Sequence, residues 1–345
     1  MELLKNLCLA GGISGNEGEA ADIVKAELKK FCDDVIADSF GNVIGRKGKG
    51  GKKILIAAHI DEIGLMVKYI SKEGFINFVK VGGIDDRVLF GQRVIIKGRN
   101  GDVFGIIGSK PPHLQKDEEK KKVVEHTDLF IDIGCESKEE AETKVEIADA
   151  IIFEPNFGNL NKYLYYGKAI DNRVGCYAML KIMEKINAKN LNAEIYGVAT
   201  VQEEVGLKGA KTVSFKINPD YAIAIDTTIA GGTPQIKETE SSLNVGKGVA
   251  ITLIEASGRG VIVSDKIKKI FIEAAKENKI PYQIDVLEGG MTDGAIIYAN
   301  REGIPTGVLS IPTRYIHSPT GVFSMKDVEA TIDLCVKGIE KLCKE

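Results

Sequence analysis

Apolar residues recur at helical spacing in GEAADIVKAELKKF, from Gly18. Ser14-Gly-Asn-Glu17 just before it has the form of a capping box, so a helix is predicted to start here. DVIADSFGNVIGRKG reads as a hairpin turning near Gly41-Asn42, and KKILIAAH after it is a short apolar run of strand length. From about Tyr69 to Asn159 the pattern changes to short β-rich pieces punctuated by glycine, such as GFINFVKVGG and QRVIIKGRNGDVFGIIG, with no long amphipathic helix. This texture predicts a small β domain, residues 69–159, inserted into a larger one made of residues 1–68 and 160–345. From Tyr163 strands and helices alternate: DNRVGCYAMLKIMEKI helical, NAEIYGVATV and YAIAID strands, SDKIKKIFIEAAKENK helical, TGVLSI a strand. Ser324-Met-Lys-Asp327 then caps a closing helix. Such alternation predicts an α/β fold, a mixed central sheet flanked by helices.

Composition narrows the function classes. At 345 residues with 44% hydrophobic content the chain can build a sizeable core and is long enough for two domains. The 46 Lys+Arg against 49 Asp+Glu leave a net charge of -3 with no basic stripe, which argues against nucleic acid as a partner. No apolar segment approaches membrane-spanning length and the start lacks a cleavable leader pattern, so a cytoplasmic protein with no membrane partner is expected. Six cysteines lie far apart without a C-x-x-C pair, and reduced, mostly buried thiols are the expectation. The charge run QKDEEKKKVVEH reads as a solvated loop, and His113 and His126 within the insert are assigned no metal role.

The polar residues that break the pattern are more informative. His59 follows ILIAA, Glu203-Glu204 follows YGVATVQ, Asp226 follows YAIAI, and His317 lies just beyond GVLSIPTRY. In open α/β sheets ligands bind outside the carboxyl ends of the strands, so these residues can converge in one crevice, and Asp171 at the start of a helix can join them. Singly, each has an ordinary explanation: Asp171 a helix cap, the glutamates surface charge, each histidine a hydrogen-bonded structural residue. Jointly, two histidines and three carboxylates match the mixed nitrogen and oxygen donors of a two-metal hydrolase. Asp61, two residues from His59 in extended chain, points to the same side and can orient the ring through its other nitrogen. The carboxylates of Glu203 and Glu204 diverge in extended structure, so one can bind metal while the other serves as a general base.

Across these same stretches the chain resembles the M42 family of tetrahedral (TET) metalloaminopeptidases in the MH clan. AAHIDEIGLMV, GKAIDNRVGCYAML, VQEEVGLKGA, AIDTTIAGGTP and IPTRYIHSP carry the resemblance, together with ISGNEGEAADIV, GIIGSKPPHL and LFIDIGCESKEEA, in order over nearly the whole length. The resemblance implies that Asp171 bridges two metals, that His59 and Asp226 complete one site, and that Glu204 and His317 complete the other. It makes Glu203 the base and Asp61 the partner of His59. It further implies a PDZ-like β-barrel insert that dimerises, assembly of the dimers into a tetrahedral homododecamer, and a cis peptide between Asp171 and Asn172. The chain departs from the usual pattern in the Thr-Thr-Ile after Asp226 and in the Met within GGMTDGA, which bears on the specificity pocket and not on the metals.

The expected activity is release of N-terminal residues from short peptides with a free N-terminus, with two divalent ions per subunit, zinc by default and cobalt compatible with the same donors. Rival readings are a deacylase or dipeptidase of the same clan, a non-catalytic cage, and a glycoside hydrolase using Glu203, Glu204 or Asp226. The last leaves both histidines unexplained and has no Trp for sugar stacking. Residues Ile229 to Thr233 and Gly289 to Asp293 are expected to line the specificity pocket, without indicating an acidic, basic or apolar choice.

Overall fold

The computed structural model describes residues 1–345, apart from the side chain at position 189. Two helices, α1 (Glu2–Leu9) and α2 (Gly18–Leu28), precede β1 (Asp34–Ala37), β2 (Val43–Lys47) and β3 (Lys52–His59). Six strands then close a barrel: β4 (Gly64–Ile70), β5 (Ile76–Val81), β6 (Arg93–Gly98), β7 (Gly101–Gly108), β8 (Phe130–Asp132) and, after the short α3 (Lys138–Glu142), β9 (Ala150–Phe153). The chain returns through β10 (Phe157–Asn159) and β11 (Leu164–Gly167) to α4 (Ile170–Lys185). It continues with α5 (Ala188–Leu191), β12 (Ala193–Thr200), α6 (Lys208–Ile217), β13 (Tyr221–Ile229), β14 (Val249–Ile254), α7 (Asp265–Glu277) and β15 (Tyr282–Val286). The last elements are α8 (Asp293–Tyr298), β16 (Thr306–Thr313), β17 (Gly321–Ser324) and α9 (Met325–Leu342).

The main sheet has eight strands in the order β1-β2-β12-β3-β13-β16-β14-β15, and its four central strands are mutually parallel. Those strands are apolar almost throughout because helices cover both faces. Along β3, Ile54, Ile56 and Ala58 join the core under α4, α7 and α9, while Leu55 and Ala57 join the smaller core under α6 and α8. This period-two alternation locks the register, since a slip of one residue would exchange the two faces. Parallel alignment brings the carboxyl ends of β3, β12, β13 and β16 to one edge of the sheet. Antiparallel flanking strands, β2 on β12 and β14 on β16, make the sheet mixed.

The barrel has its own core, from Leu65, Phe78, Ile96, Ile107 and Ile131 among others. On β7 the alternation turns Phe104 and Ile106 outward, 55% and 54% exposed. No helix among the described residues is long and apolar enough to cross a membrane.

Two local expectations change. Ser14-Gly-Asn-Glu17 is not a capping box: α2 begins at Gly18 with no side-chain cap, and the Ser14 hydroxyl instead donates to the Asp61 carboxylate at 2.6 Å. The strand after YAIAI does not end at Asp226 but runs on to Ile229, because Thr227 to Ile229 keep pairing with Ile311 to Thr313 of β16.

Candidate metal centre and its cleft

The stretch that carries His59 leaves β3 and runs into the barrel, so its three charged residues serve three purposes. His59 is 2% exposed and its Nε2 faces a group of carboxylates: Asp171 Oδ1 at 3.1 Å, Asp226 Oδ1 at 3.5 Å and Glu203 Oε2 at 3.8 Å. Its Nδ1 lies 3.1 Å from the Asp61 backbone carbonyl and 3.5 Å from the Asp61 carboxylate, so residue 61 orients the ring mainly through its main chain. The Asp61 carboxylate accepts hydrogen bonds from the backbone N–H of Glu203 at 3.0 Å and of Glu204 at 3.1 Å, besides the Ser14 hydroxyl. It therefore fixes the loop after β12 that presents both glutamates. Glu62 turns away and forms a buried ion pair with Lys168 Nζ at 2.7 Å, with Arg173 alongside. This pair joins the stretch after β3 to the approach to α4 beneath the centre.

Asp171 sits at the entry to α4, in the non-helical stretch Asp171–Asn172, and the peptide between these two residues is cis. The cap of the regular helix is the next residue, whose Oδ1 accepts from the Gly175 N–H at 3.1 Å while its Nδ2 donates to the Ile225 carbonyl at 2.8 Å. Asp171 is thus free of capping duty. Its Oδ1 faces His59, and its Oδ2 lies 3.3 Å from Nε2 of His317, which is itself 3.6 Å from Glu204 Oε2. Three groupings bring donor atoms within 4.8 Å of one another: His59–Asp171–Asp226, Asp171–Glu204–His317 and His59–Glu203–Glu204. The first two share Asp171.

Crowding of buried acids shifts their titration. Glu203 is held well above the usual carboxylate range by burial first, with Asp226, Asp293 and Glu204 adding. Burial, then Asp171, pushes Glu204 up to about 8. Asp171 goes the other way: burial alone would raise it, but hydrogen bonds with His317 and His59 outweigh that. His317 rises to about 9 chiefly through its hydrogen bond to Asp171. For His59 burial would lower the ring, and the opposing pull of Glu203 and Asp226 raises it. Glu204 Oε1 is buried without any hydrogen-bond partner. Such a group is costly unless a cation completes it, and the imidazole and carboxylate donors suit borderline divalent metals. By that test the residues present fit two metal ions.

The centre forms one end of a cleft of about 1170 Å³. Of the stretches expected there, Ile229 and Gly289 to Thr292 line it while Ala230 to Thr233 and Asp293 do not; Glu238 to Leu243 and Ile284 to Glu288, which the sequence did not single out, complete the wall. Neither of those stretches holds a motif; only the fold of the loop after β13 and the edge position of β15 bring them there. Gly83, from the loop after β5, also lines the cleft. A Cβ there would stand 2.9 Å from His317 Nδ1. Gly83→Ala is expected to displace the His317 ring and weaken binding of a divalent metal at this centre by about 10- to 100-fold, within the usual range for disturbing the support of a ligand, while thermal stability is kept. Metal titration followed with a competing chelator measures this.

Behind the cleft Asp293, 2% exposed, accepts from the Thr200 hydroxyl, and burial pushes its carboxyl up to about 7. Glu255, fully buried, accepts from the Thr292 hydroxyl at 2.6 Å and is likewise raised to about 7, burial being the main cause. A carboxyl whose folded value lies above its unfolded one holds its proton more tightly when folded, so stability is lost as pH rises from about 4.5 through about 7. Glu255→Gln removes that loss. The melting temperature of the variant minus that of the parent is expected to increase between pH 5 and pH 8, as thermal unfolding of metal-free protein at both values measures.

A mixed α/β fold with a closed barrel and an acidic centre containing two histidines is the arrangement of a metal-dependent peptidase. The chain belongs to the M42 peptidase family: the family model described as M42 glutamyl aminopeptidase matches residues 41–334. A putative aminopeptidase of Acetivibrio thermocellus is 40% identical over 98% of each chain. A TET aminopeptidase structure from the marine sediment archaeon Thaumarchaeota archaeon SCGC AB-539-E09 superposes with a TM-score of 0.94 at 40% identity, covering 99% of this chain and 96% of the other. The TET1 peptidase of Pyrococcus horikoshii, described as able to assemble into a tetrahedron or a large octahedral shell, gives 0.87 at 37% identity, covering 97% and 98%. The protein is therefore a hydrolase of the aminopeptidase type.

Proposed function

We propose that this chain removes single residues from the free N-terminus of short peptides with the help of two divalent ions, one held by His59, Asp171 and Asp226 and the other by Asp171, Glu204 and His317. The observation that carries the reading is the placement of Asp171, which offers one carboxylate oxygen to the side of each histidine. Ions held there supply Lewis acidity toward the scissile carbonyl and make a water molecule more acidic, zinc being the default choice and cobalt compatible. Glu203 is the proposed general base. It stands 3.8 Å from His59 Nε2, and its raised affinity for a proton suits a group that takes one from water and hands it to the leaving amine. Asp61 positions the base by holding the Glu203 and Glu204 amides. The surrounding carboxylates favour the substrate's cationic α-ammonium, which explains an exopeptidase rather than an endopeptidase.

We further propose that the barrel, with Phe104 and Ile106 on its outer face, mediates pairing of two copies and that pairs build a dodecameric shell. The free cysteines and the absence of a spanning helix among the described residues agree with a cytoplasmic protein. The test is hydrolysis of a short peptide with a free or an acetylated N-terminus. Activity is expected on the free form alone, with loss on chelation, return on adding zinc or cobalt, and two ions per chain by elemental analysis. Equal hydrolysis of the acetylated peptide would count against the aminopeptidase reading.

A further inference from the structure

Resting on the aminopeptidase reading, we propose that the cleft selects a neutral aliphatic N-terminal side chain and rejects an acidic one. None of the described residues that line the cleft is a lysine or an arginine. Besides the carboxylates of the centre the lining holds Asp285, Glu238, Glu240 and Glu288. Away from the metal centre, a glutamyl side chain would lose water there and, among charged groups, meet only carboxylates, although the family model carries a glutamyl description.

Away from the metal centre several polar groups of the lining are already paired. Asp285 accepts from the hydroxyls of Thr228 at 3.0 Å and Thr252 at 2.9 Å, and Thr252 also shares a hydrogen bond with Ser310 at 2.9 Å. The Glu240 carboxylate accepts from the Lys237 N–H at 2.8 Å. Beside the exposed Glu238, Glu240 and Glu288, the lining also leaves apolar side chains uncovered: Ile229, Ile284, Val286 and Met291 are 45%, 41%, 60% and 49% exposed, all lining the same cleft. Such a wall gains by burying an aliphatic side chain. A lysyl side chain could reach Glu238 and Glu288, but these are exposed, and water screens what they contribute. The order that follows is leucyl and methionyl above lysyl, and lysyl above glutamyl.

The experiment compares kcat/KM of the metal-loaded full-length protein on the fluorogenic amides of leucine, methionine, lysine and glutamate. Leucyl and methionyl amides are expected about tenfold above lysyl and about a hundredfold or more above glutamyl, differences a single pocket can supply. Lysyl or glutamyl turnover equal to leucyl overturns the proposal. A second measurement separates it from the catalytic reading: calorimetric binding of leucine, lysine and glutamate hydroxamates to metal-loaded Glu203→Gln protein. The same order in binding with all amides inert toward the metal-loaded parent would sink the catalytic reading and sustain the specificity; equal or glutamate-favoured binding would sink the specificity. Finally, Ile284→Lys puts a cation on the exposed wall and is expected to raise glutamyl turnover relative to leucyl by about tenfold. An unchanged ratio removes Ile284 from the pocket and overturns the assignment of this wall.

Discussion

Glu203→Gln protein is expected to retain two metal ions per chain and lose turnover by about a thousandfold or more. Amide and carboxylate are nearly the same size, so the loop stays in place, held by the Asp61 carboxylate on the amides of residues 203 and 204 and not by the Glu203 side chain. What disappears is the ability to accept a proton. General acid–base catalysis contributes about 10² to 10⁴ in rate, and here the same group serves in both directions, from water and to the leaving amine. Metal content is the decisive readout because donor geometry also admits Glu203, with His59 and Glu204, into a third grouping. Elemental analysis showing a missing ion would make Glu203 a ligand and leave Glu204 as the base.

Much of this centre was legible in the sequence because parallel strands impose order on distant segments. His59, Glu203-Glu204 and His317 each follow a buried apolar run, and parallel pairing of those runs puts their carboxyl ends together whatever the chain separation. Asp226 was found for a partly different reason than expected: it lies within its strand and faces the centre three residues before the strand ends. The capping-box reading of Ser14 and Glu17 failed because a local pattern cannot report a distant competitor. The Asp61 carboxylate takes the Ser14 hydroxyl, and Glu17 Oε1 accepts instead from Gly15 N–H at 2.7 Å and Gln202 N–H at 3.2 Å. For the same reason the role of Glu62 was hidden, since its partner Lys168 is 106 residues away. The substrate wall was the least legible part. Ile284 and Val286 look like ordinary strand residues, and only the edge position of β15 leaves their side chains uncovered.

Asp171→Asn is expected to have the widest effect on the metals. Each of the other four proposed ligands serves one ion, so its loss would leave the second with its full set. Asp171 directs Oδ1 toward His59 and Oδ2 toward His317, at 3.1 and 3.3 Å. An amide keeps one acceptor oxygen, carries no charge, and presents an NH₂ group that cannot bind a cation. One ion loses its donor and both lose the shared negative charge at once, and each histidine loses the carboxylate that its Nε2 faces. Metal-free protein should not unfold in consequence, because the entry to α4 is held independently: Asn172 donates to the Ile225 carbonyl, and Arg173 donates to the carbonyls of Ile60 at 2.6 Å and Ala10 at 3.0 Å. The expected result is therefore a folded protein with fewer than one ion per chain after dialysis, inactive at zinc concentrations that saturate the parent, with an unchanged circular-dichroism spectrum. Loss of a single ion, with the other bound at parental affinity, would show that Asp171 belongs to one site and that the two ions are bridged by something else.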